Sequence, residues 1–318
     1  MSSEERPLRL LSLDGGGVRG LSSLLILQYL MRTVDPTKPP KPCDYFDLIG
    51  GTSTGGLIAI MLGRLKMDID ECIKAYLEIS QDVFQPKKKR FNFLGRARDA
   101  LKIRGRFDSD ALKRGIQNIV VQVGEKEEAK LKIEAVPKCR VFVCATRGEM
   151  GMHTALLRSY VSKRPEEVDC TIWEAGRATS AASSFFDPIK IGHFDETFVD
   201  GGTGCNNPIE KVFEEALDIW GEGARERINC FLSIGTGQPA ERGFGSGLKE
   251  IASTIIHIST ETEQTAVRFA RVHAPFLGSS PTSSKVYFRF NVAKGLEEIG
   301  LERHEDKAKI AAATKVYL

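Results

Sequence analysis

The chain has 318 residues, of which 42% are hydrophobic, 27% charged and 8% aromatic, and its formal charge is +3. Those values exclude disordered, collagen-like and coiled-coil classes, and so small a charge does not by itself mark a nucleic-acid binder. The seven cysteines include no C-x-x-C pair for zinc or redox chemistry, and no run of 18 apolar residues could cross a membrane. Unpaired thiols, and a first apolar run too short for a signal peptide, lead to the expectation of a cytoplasmic protein, at most peripheral on membranes.

Residues 8–13 read as a short buried strand ending at Asp14-Gly15-Gly16-Gly17-Val18-Arg19-Gly20. A helix is predicted over 21–32, where Leu21, Leu24, Leu25, Gln28 and Met31 recur at helical spacing. Four prolines make 35–42 a loop. A second strand, 45–49, runs into Gly50-Gly51-Thr52-Ser53-Thr54-Gly55-Gly56 and then an apolar helix through Leu57, Ile58, Ile60, Met61 and Leu62. Strand, glycine turn and helix, met twice in succession, open an α/β fold with a mostly parallel sheet flanked by helices.

A further helix is predicted over 68–81. Residues 85–106 then carry nine basic side chains against one acid, Asp99. Later strands are expected at 140–145, 194–199, 230–234 and 286–290, with a small-residue helix over 172–183. Another helix should follow Asn206, with Asn207 as cap, Pro208 at its first position and Glu210 at capping-box spacing. Its apolar stripe is Ile209, Val212, Phe213, Ala216, Leu217 and Trp220. No repeat divides the chain, so 1–318 is expected to be one domain.

Gly51-Thr52-Ser53-Thr54-Gly55 matches G-x-S-x-G between a strand and a helix, the context of a nucleophile elbow. There the glycines allow a sharp turn, Ser53 projects above the sheet, and the helix N-terminus favours a developing oxyanion. The plainer reading is a turn that only packs a helix on a strand. Gly15, Gly17 and Gly20 also satisfy G-x-G-x-x-G, but the acid a dinucleotide site wants, Asp35, falls in the proline-rich loop. No Gly-Lys-Ser/Thr makes a P-loop. With an elbow following closely, backbone amides of the glycine loop are better read as oxyanion donors. None of the five histidines has a motif-like setting, whereas Asp200-Gly201-Gly202 puts a carboxylate at a strand end before two glycines.

Together, D-G-G-G-x-R-G, then G-T-S-T-G-G, then D-G-G followed by N-N-P, resemble the patatin-like phospholipases. Ala178-Thr179-Ser180-Ala181-Ala182 and Ser233-Ile234-Gly235-Thr236-Gly237 are similar to two further family blocks, and Thr314-Lys315-Val316-Tyr317-Leu318 to a domain end. The likeness covers about residues 8–237, with 238–318 completing the domain. One departure is Ser183, where many members carry proline.

The resemblance implies a three-layer patatin-like fold and a lipid acyl hydrolase of phospholipase A type. It implies Ser53 as nucleophile and Asp200 as general base. It further implies Gly15, Gly16 and Gly17 as oxyanion-hole donors with Arg19 bracing that loop, and neither cofactor nor metal. Asp108-Ser109-Asp110 begins like a calcium loop but lacks the glycine and distal glutamate that should follow. Phe91, Phe93, Leu94 and Leu101 interleave with the charges of 85–106, which suits contact with an anionic membrane; a passive solvated loop is the plainer reading, and no nucleic-acid motif accompanies it. Two alternatives stand beside the dyad: an α/β-hydrolase triad of Ser53, Asp200 and His257 or His273, and a lipid-binding effector domain of a larger receptor.

Overall fold

The structure, a computed structural model, describes residues 6–84, 107–148, 153–164, 167–182, 185–238, 249–278 and 286–318, without the side chains of 249–260. The basic stretch 85–106 and Ser183 therefore lie outside the described residues.

Strand β1 (Leu8–Leu13) leads through a 3-10 turn, Gly17–Arg19, into α1 (Gly20–Val34). A helical turn, α2 (Pro42–Tyr45), precedes β2 (Leu48–Thr52), and α3 (Thr54–Ala59) continues as a π-helical turn over Ile60–Arg64. Next come α4 (Ile69–Val83), α5 (Ser109–Gln122), β3 (Arg140–Arg147), β4 (Thr154–Arg158) and α6 (Ile172–Thr179). The hairpin β5 (Ile189–Ile191) and β6 (Glu196–Asp200) is followed by the kinked turn α7 (Gly202–Cys205), α8 (Ile209–Trp220) and α9 (Ala224–Arg227). The chain closes with β7 (Ile228–Ile234), α10 (Lys249–Val272), β8 (Tyr287–Phe290) and α11 (Lys307–Tyr317).

The eight strands form one sheet in the order β5-β6-β3-β2-β1-β7-β8, with β4 paired to β3 off that path. Strands β3, β2, β1, β7 and β8 run parallel, while β4, β6 and β5 supply the antiparallel pairings. This is the mostly parallel sheet flanked by helices that the opening strand–turn–helix units imply. One apolar layer joins α1, α3, α4, α5 and α6 to the sheet, and a second joins α8 and α10 to its other face. In β1 and β2 every residue but Arg9 is buried, as in strands covered on both faces.

Several boundaries differ from expectation. The second strand starts at Leu48, not 45, because Pro42 opens a helical turn whose last bond runs from the Phe46 amide to the Pro42 carbonyl at 2.8 Å. The strand placed at 194–199 is Glu196–Asp200, since residues 192–195 make the hairpin turn with Gly192 at φ +80°. The small-residue helix stops at Thr179, whose hydroxyl is drawn into the site. Helix α8 starts at Ile209 with Pro208 rather than Asn207 in the cap position, although Asn207 Oδ1 still accepts the Ile209 amide at 3.1 Å; Glu210 makes no capping box and forms a two-pronged ion pair with Arg268 of α10 at 2.8 Å. Helices α2, α5, α9, α10 and α11, and strands β4 and β5, have no counterpart among the elements expected from sequence.

Candidate active site

Two strands meet end to end over β3, and this sets the geometry of the site. Strand β4 occupies one edge of β3 along residues 142–146, so β2 and β6 share the other. Rising β2 ends with Thr52 opposite Cys144, and descending β6 ends with Asp200 opposite Ala145. Ser53 follows Thr52 directly, so the serine and the carboxylate are brought together although 147 positions separate them in the chain.

At this junction the turn is tight. A β-carbon on Gly51 would lie 2.2 Å from the Gly55 carbonyl oxygen, and one on Gly55 2.2 Å from that of Leu13. Ser53 itself has φ +53°, a region that costs a side-chain-bearing residue about 1–3 kcal/mol. The strain is held by neighbours: the Ser53 amide donates to Thr179 Oγ1 at 2.8 Å, whose hydroxyl donates to the Cys144 carbonyl at 2.7 Å. Thr52 Oγ1 donates to the Cys205 carbonyl at 2.7 Å, and Thr54 Oγ1 to the Gly17 carbonyl at 2.9 Å.

Ser53 Oγ donates a 2.7 Å hydrogen bond to Asp200 Oδ2, and Asp200 Oδ1 accepts the Gly202 amide at 2.7 Å. Gly201 makes room, for a β-carbon there would meet the Cys144 carbonyl oxygen at 2.5 Å. Burial pushes the Asp200 carboxyl up to about 6, with the Gly202 amide and the Ser53 hydroxyl pulling the other way. Because the shift is upward from the ordinary 3.8, Asp200 favours folding below that value and progressively opposes it as pH rises to about 6. Its net effect at neutral pH is a loss of roughly 3 kcal/mol. A carboxyl held at such a cost and touching a strained serine contributes nothing to stability, and it is placed where it can exchange a proton with that hydroxyl.

The glycine loop runs alongside. Its Gly15 amide is taken by the Asn206 carbonyl at 3.1 Å, so Gly15 is not free to donate to a substrate. The amides of Gly16 and Gly17 border the cavity and have no acceptor among the described residues. Gly17, at φ +53°, turns the chain there. Arg19 is buried with its guanidinium against the Ile299 carbonyl, Nε at 2.7 Å, and the Val18 amide donates to the Leu301 carbonyl at 2.8 Å, tying the loop to 297–301.

Ser53, Asp200 and the loop form the polar end of a cavity of about 350 Å³. The remaining wall is mostly apolar, with Leu57 of α3, Ile79 and Val83 of α4, Leu112 of α5, and Phe84, Phe185 and Phe186, interrupted by Tyr76, Ser80, Ser180 and Thr203. That volume falls in the range of small-ligand sites. A serine with an adjacent base, backbone donors beside it and an apolar pocket can carry out acyl transfer from an ester whose acyl chain is apolar.

Of the two histidines of the alternative triad, His273 has no place in this arrangement. His273 packs its ring on Phe213 and Phe269, at 5.0 and 5.3 Å between centroids, in the layer on the other face of the sheet. The side chain of His257 lies outside the described residues. Asp108, of the calcium-like triplet, instead caps α5 by accepting the Asp110 amide at 2.9 Å. Thr179, Asn206 and Thr236 stand within or beside the family-like blocks, but nothing in their spacing shows which backbone groups they hold. Arg289 and Glu263, which meet behind the loop, carry no local signal at all.

A strained serine at a strand–helix elbow, bonded to a buried carboxylate on a mostly parallel sheet, defines the site of a serine–carboxylate class of α/β protein. The family model for patatin-like phospholipases matches residues 11–213, and the chain belongs to that family. It is 30% identical over 318 residues to calcium-independent phospholipase A2-gamma of Mus musculus, an alignment covering 95% of this chain and 37% of that one. It is 27% identical over 238 residues to the cGAMP-activated phospholipase of Vibrio cholerae, covering 72% of this chain and 64% of the relative. The chain thus spans little more than a third of the mouse relative. Among solved structures, that of VipD from Legionella pneumophila aligns over 98% of this chain and 67% of that one, at 12% identity and a TM-score of 0.42. Among the described residues, no helix is long and apolar enough to cross a membrane.

Proposed function

We propose that this chain is a calcium-independent lipid acyl hydrolase of phospholipase A type, acting through a Ser53–Asp200 dyad. The observation that carries the reading is the 2.7 Å bond between Ser53 Oγ and Asp200 Oδ2 at the floor of an apolar cavity. Ser53 Oγ attacks the ester carbonyl carbon while its proton passes to Asp200. The Gly16 and Gly17 amides hold the oxyanion. The carbon–oxygen bond to the leaving alcohol breaks, and that oxygen takes the proton from Asp200. Water then gives a proton to Asp200 and attacks the acyl-Ser53 carbonyl; the bond from Ser53 Oγ to that carbon breaks, Oγ takes the proton back from Asp200, and the fatty acid leaves. Family membership supports a lipid ester as substrate, with the acyl chain against Leu57, Ile79, Val83 and Leu112. Labelling with a fluorophosphonate probe followed by peptide mapping tests the assignment: the adduct is expected on Ser53, and an adduct elsewhere overturns it.

The base must be ionised to work. With Asp200 at about 6, kcat/KM for a soluble acyl ester is expected to climb about tenfold per pH unit below that value and level off above it. A rate that stays flat from pH 4.5 to 7 removes Asp200 as the base. No step in the proposed reaction runs through a metal, so turnover should be unchanged in excess chelator; a loss restored by added calcium would count against the dyad.

We also propose that residues 85–106, with nine basic side chains and one acid, meet anionic lipid. Their flanks support this, since Phe84 lines the cavity and its ring meets that of Phe107 edge to face at 5.3 Å. Each Lys or Arg near such a surface contributes about 1 kcal/mol. Changing Lys87, Lys88, Lys89 and Arg90 to glutamine is expected to weaken binding to phosphatidylserine vesicles by at least tenfold at low salt, while hydrolysis of a soluble short-chain ester is spared. Unchanged vesicle binding would leave 85–106 a passive loop.

A further inference from the structure

A charge network anchored on a fully buried carboxylate stands behind the glycine loop, and the proposed bond-making steps do not draw on it. Asp14, the first residue of the loop, is 1% exposed, and its Oδ2 accepts a 2.7 Å hydrogen bond from the Arg289 guanidinium on β8. The same guanidinium nitrogen donates to Glu263 Oε1 on α10 at 2.5 Å, and another to Ser233 Oγ on β7 at 2.9 Å. Glu263 Oε1 also accepts Asn291 Nδ2 at 2.7 Å, and Asn291 Oδ1 accepts the Gly237 amide at 2.6 Å. The glycine loop leans on this same stretch of chain. The Ile234 carbonyl accepts the Asp14 amide at 3.0 Å, and Thr236 Oγ1 donates to the Gly15 carbonyl at 2.9 Å. Gly235 leaves the space, for a β-carbon there would lie 2.4 Å from Asn291 Oδ1 and 2.8 Å from an Arg289 nitrogen.

An ion pair with one member fully buried and the other largely so is a poor source of stability, since apolar replacements of such pairs are often neutral or better. What a guanidinium fork does well is fix direction, holding several acceptors in one plane. Burial raises the Asp14 carboxyl to about 6 even with Arg289 beside it, so its charge at neutral pH depends on that contact. The atoms so fixed are two residues from the Gly16 amide and three from that of Gly17. Donors of this kind lose their value steeply when displaced by a fraction of an ångström.

We propose that Arg289 is a positioning residue for the oxyanion loop, gripping Asp14, Glu263 and Ser233 in one fork so that the Gly16 and Gly17 amides face the ester carbonyl as Ser53 attacks. The proposal rests on the reading of Ser53, Gly16 and Gly17 given above. Its signature is a loss in kcat without a matching change in KM, because the loop serves the transition state and the apolar wall binds the acyl chain.

The test compares wild type, Arg289→Met, Arg289→Lys, Asp14→Asn and Ser53→Ala on one soluble acyl ester, with circular dichroism and thermal melting of each. Arg268→Met, which removes a solvent-exposed arginine pair from α10, is the control and should stay within about twofold of wild type. Arg289→Met is expected to lose about 100-fold or more in kcat with KM within about threefold, and Arg289→Lys to recover part of that loss. Should Arg289→Met not fold, Arg289→Lys and Asp14→Asn decide the matter, each expected to lose about tenfold in kcat at constant KM. A folded Arg289→Met with wild-type kcat, or wild-type kcat in both of the other two, overturns the proposal, as does a loss carried by KM alone. Activity surviving in Ser53→Ala would instead overturn the nucleophile assignment, which keeps the two failures apart.

Discussion

Replacing Ser53 with alanine is expected to lower acyl-ester turnover on the order of 10⁴-fold or more while leaving the fold in place. The size follows from what the oxygen does. It is the atom that forms the acyl-enzyme, and among the described residues no second hydroxyl donates to the Asp200 carboxyl, since Thr146 Oγ1 reaches only its backbone carbonyl. Residual rate would come from the cavity and the glycine-loop amides acting on water. The fold should survive because the hydroxyl makes a single hydrogen bond, to Asp200, whereas the elbow is held by the Ser53 amide, Thr52, Thr54 and two glycines. Steady-state turnover with a thermal melt checks both halves. A folded alanine variant within tenfold of wild type removes Ser53 from the mechanism.

Asp200→Asn is expected to be nearly as damaging, because an amide accepts no proton at neutral pH. The geometry should persist, with the side-chain oxygen still accepting the Gly202 amide and the nitrogen facing Ser53 Oγ. The stability change is opposite in sign to that of most point substitutions. The native carboxylate is held at about 6 against an ordinary 3.8, so at pH 7–8 it opposes folding by roughly 3 kcal/mol, and a neutral amide relieves part of that. The expected result is an inactive variant whose melting temperature equals or exceeds that of wild type near pH 7.5. His273→Ala, by contrast, should keep most of its turnover and melt lower, since that ring fills space against Phe213 and Phe269. A folded His273→Ala as inactive as Ser53→Ala would replace the dyad with a triad.

Both predictions use residues that the amino-acid sequence alone singles out. Leu8–Leu13 announces itself as a buried strand, and the two glycine turns announce strand–helix junctions, because a tight turn needs residues without a β-carbon wherever they occur. Ser53 and Asp200 stand out for the same local reason: each sits at a strand end beside glycines. The family blocks add order and roles to those positions. A three-residue strand such as β5 is too short to show a period, and α5 and α10 are rich in polar residues, so these elements go unread.

What local sequence could not determine is which strand lies beside which. That Asp200 meets Ser53 follows from β4 occupying one edge of β3 and leaving the other to β2 and β6, a matter of long-range pairing. The Gly15 amide looks equivalent to its two neighbours until the turn after β6 brings the Asn206 carbonyl to it. Asp14 reads only as the end of a strand, and Arg289 and Glu263 as two charges among many. They become one network because β8 adds to β7 and α10 crosses behind it. Turn chemistry and strand burial are written in neighbouring residues. Strand order and the partners of buried charges arise only when distant segments compete for the same edge or the same acceptor, and the packed core settles that competition.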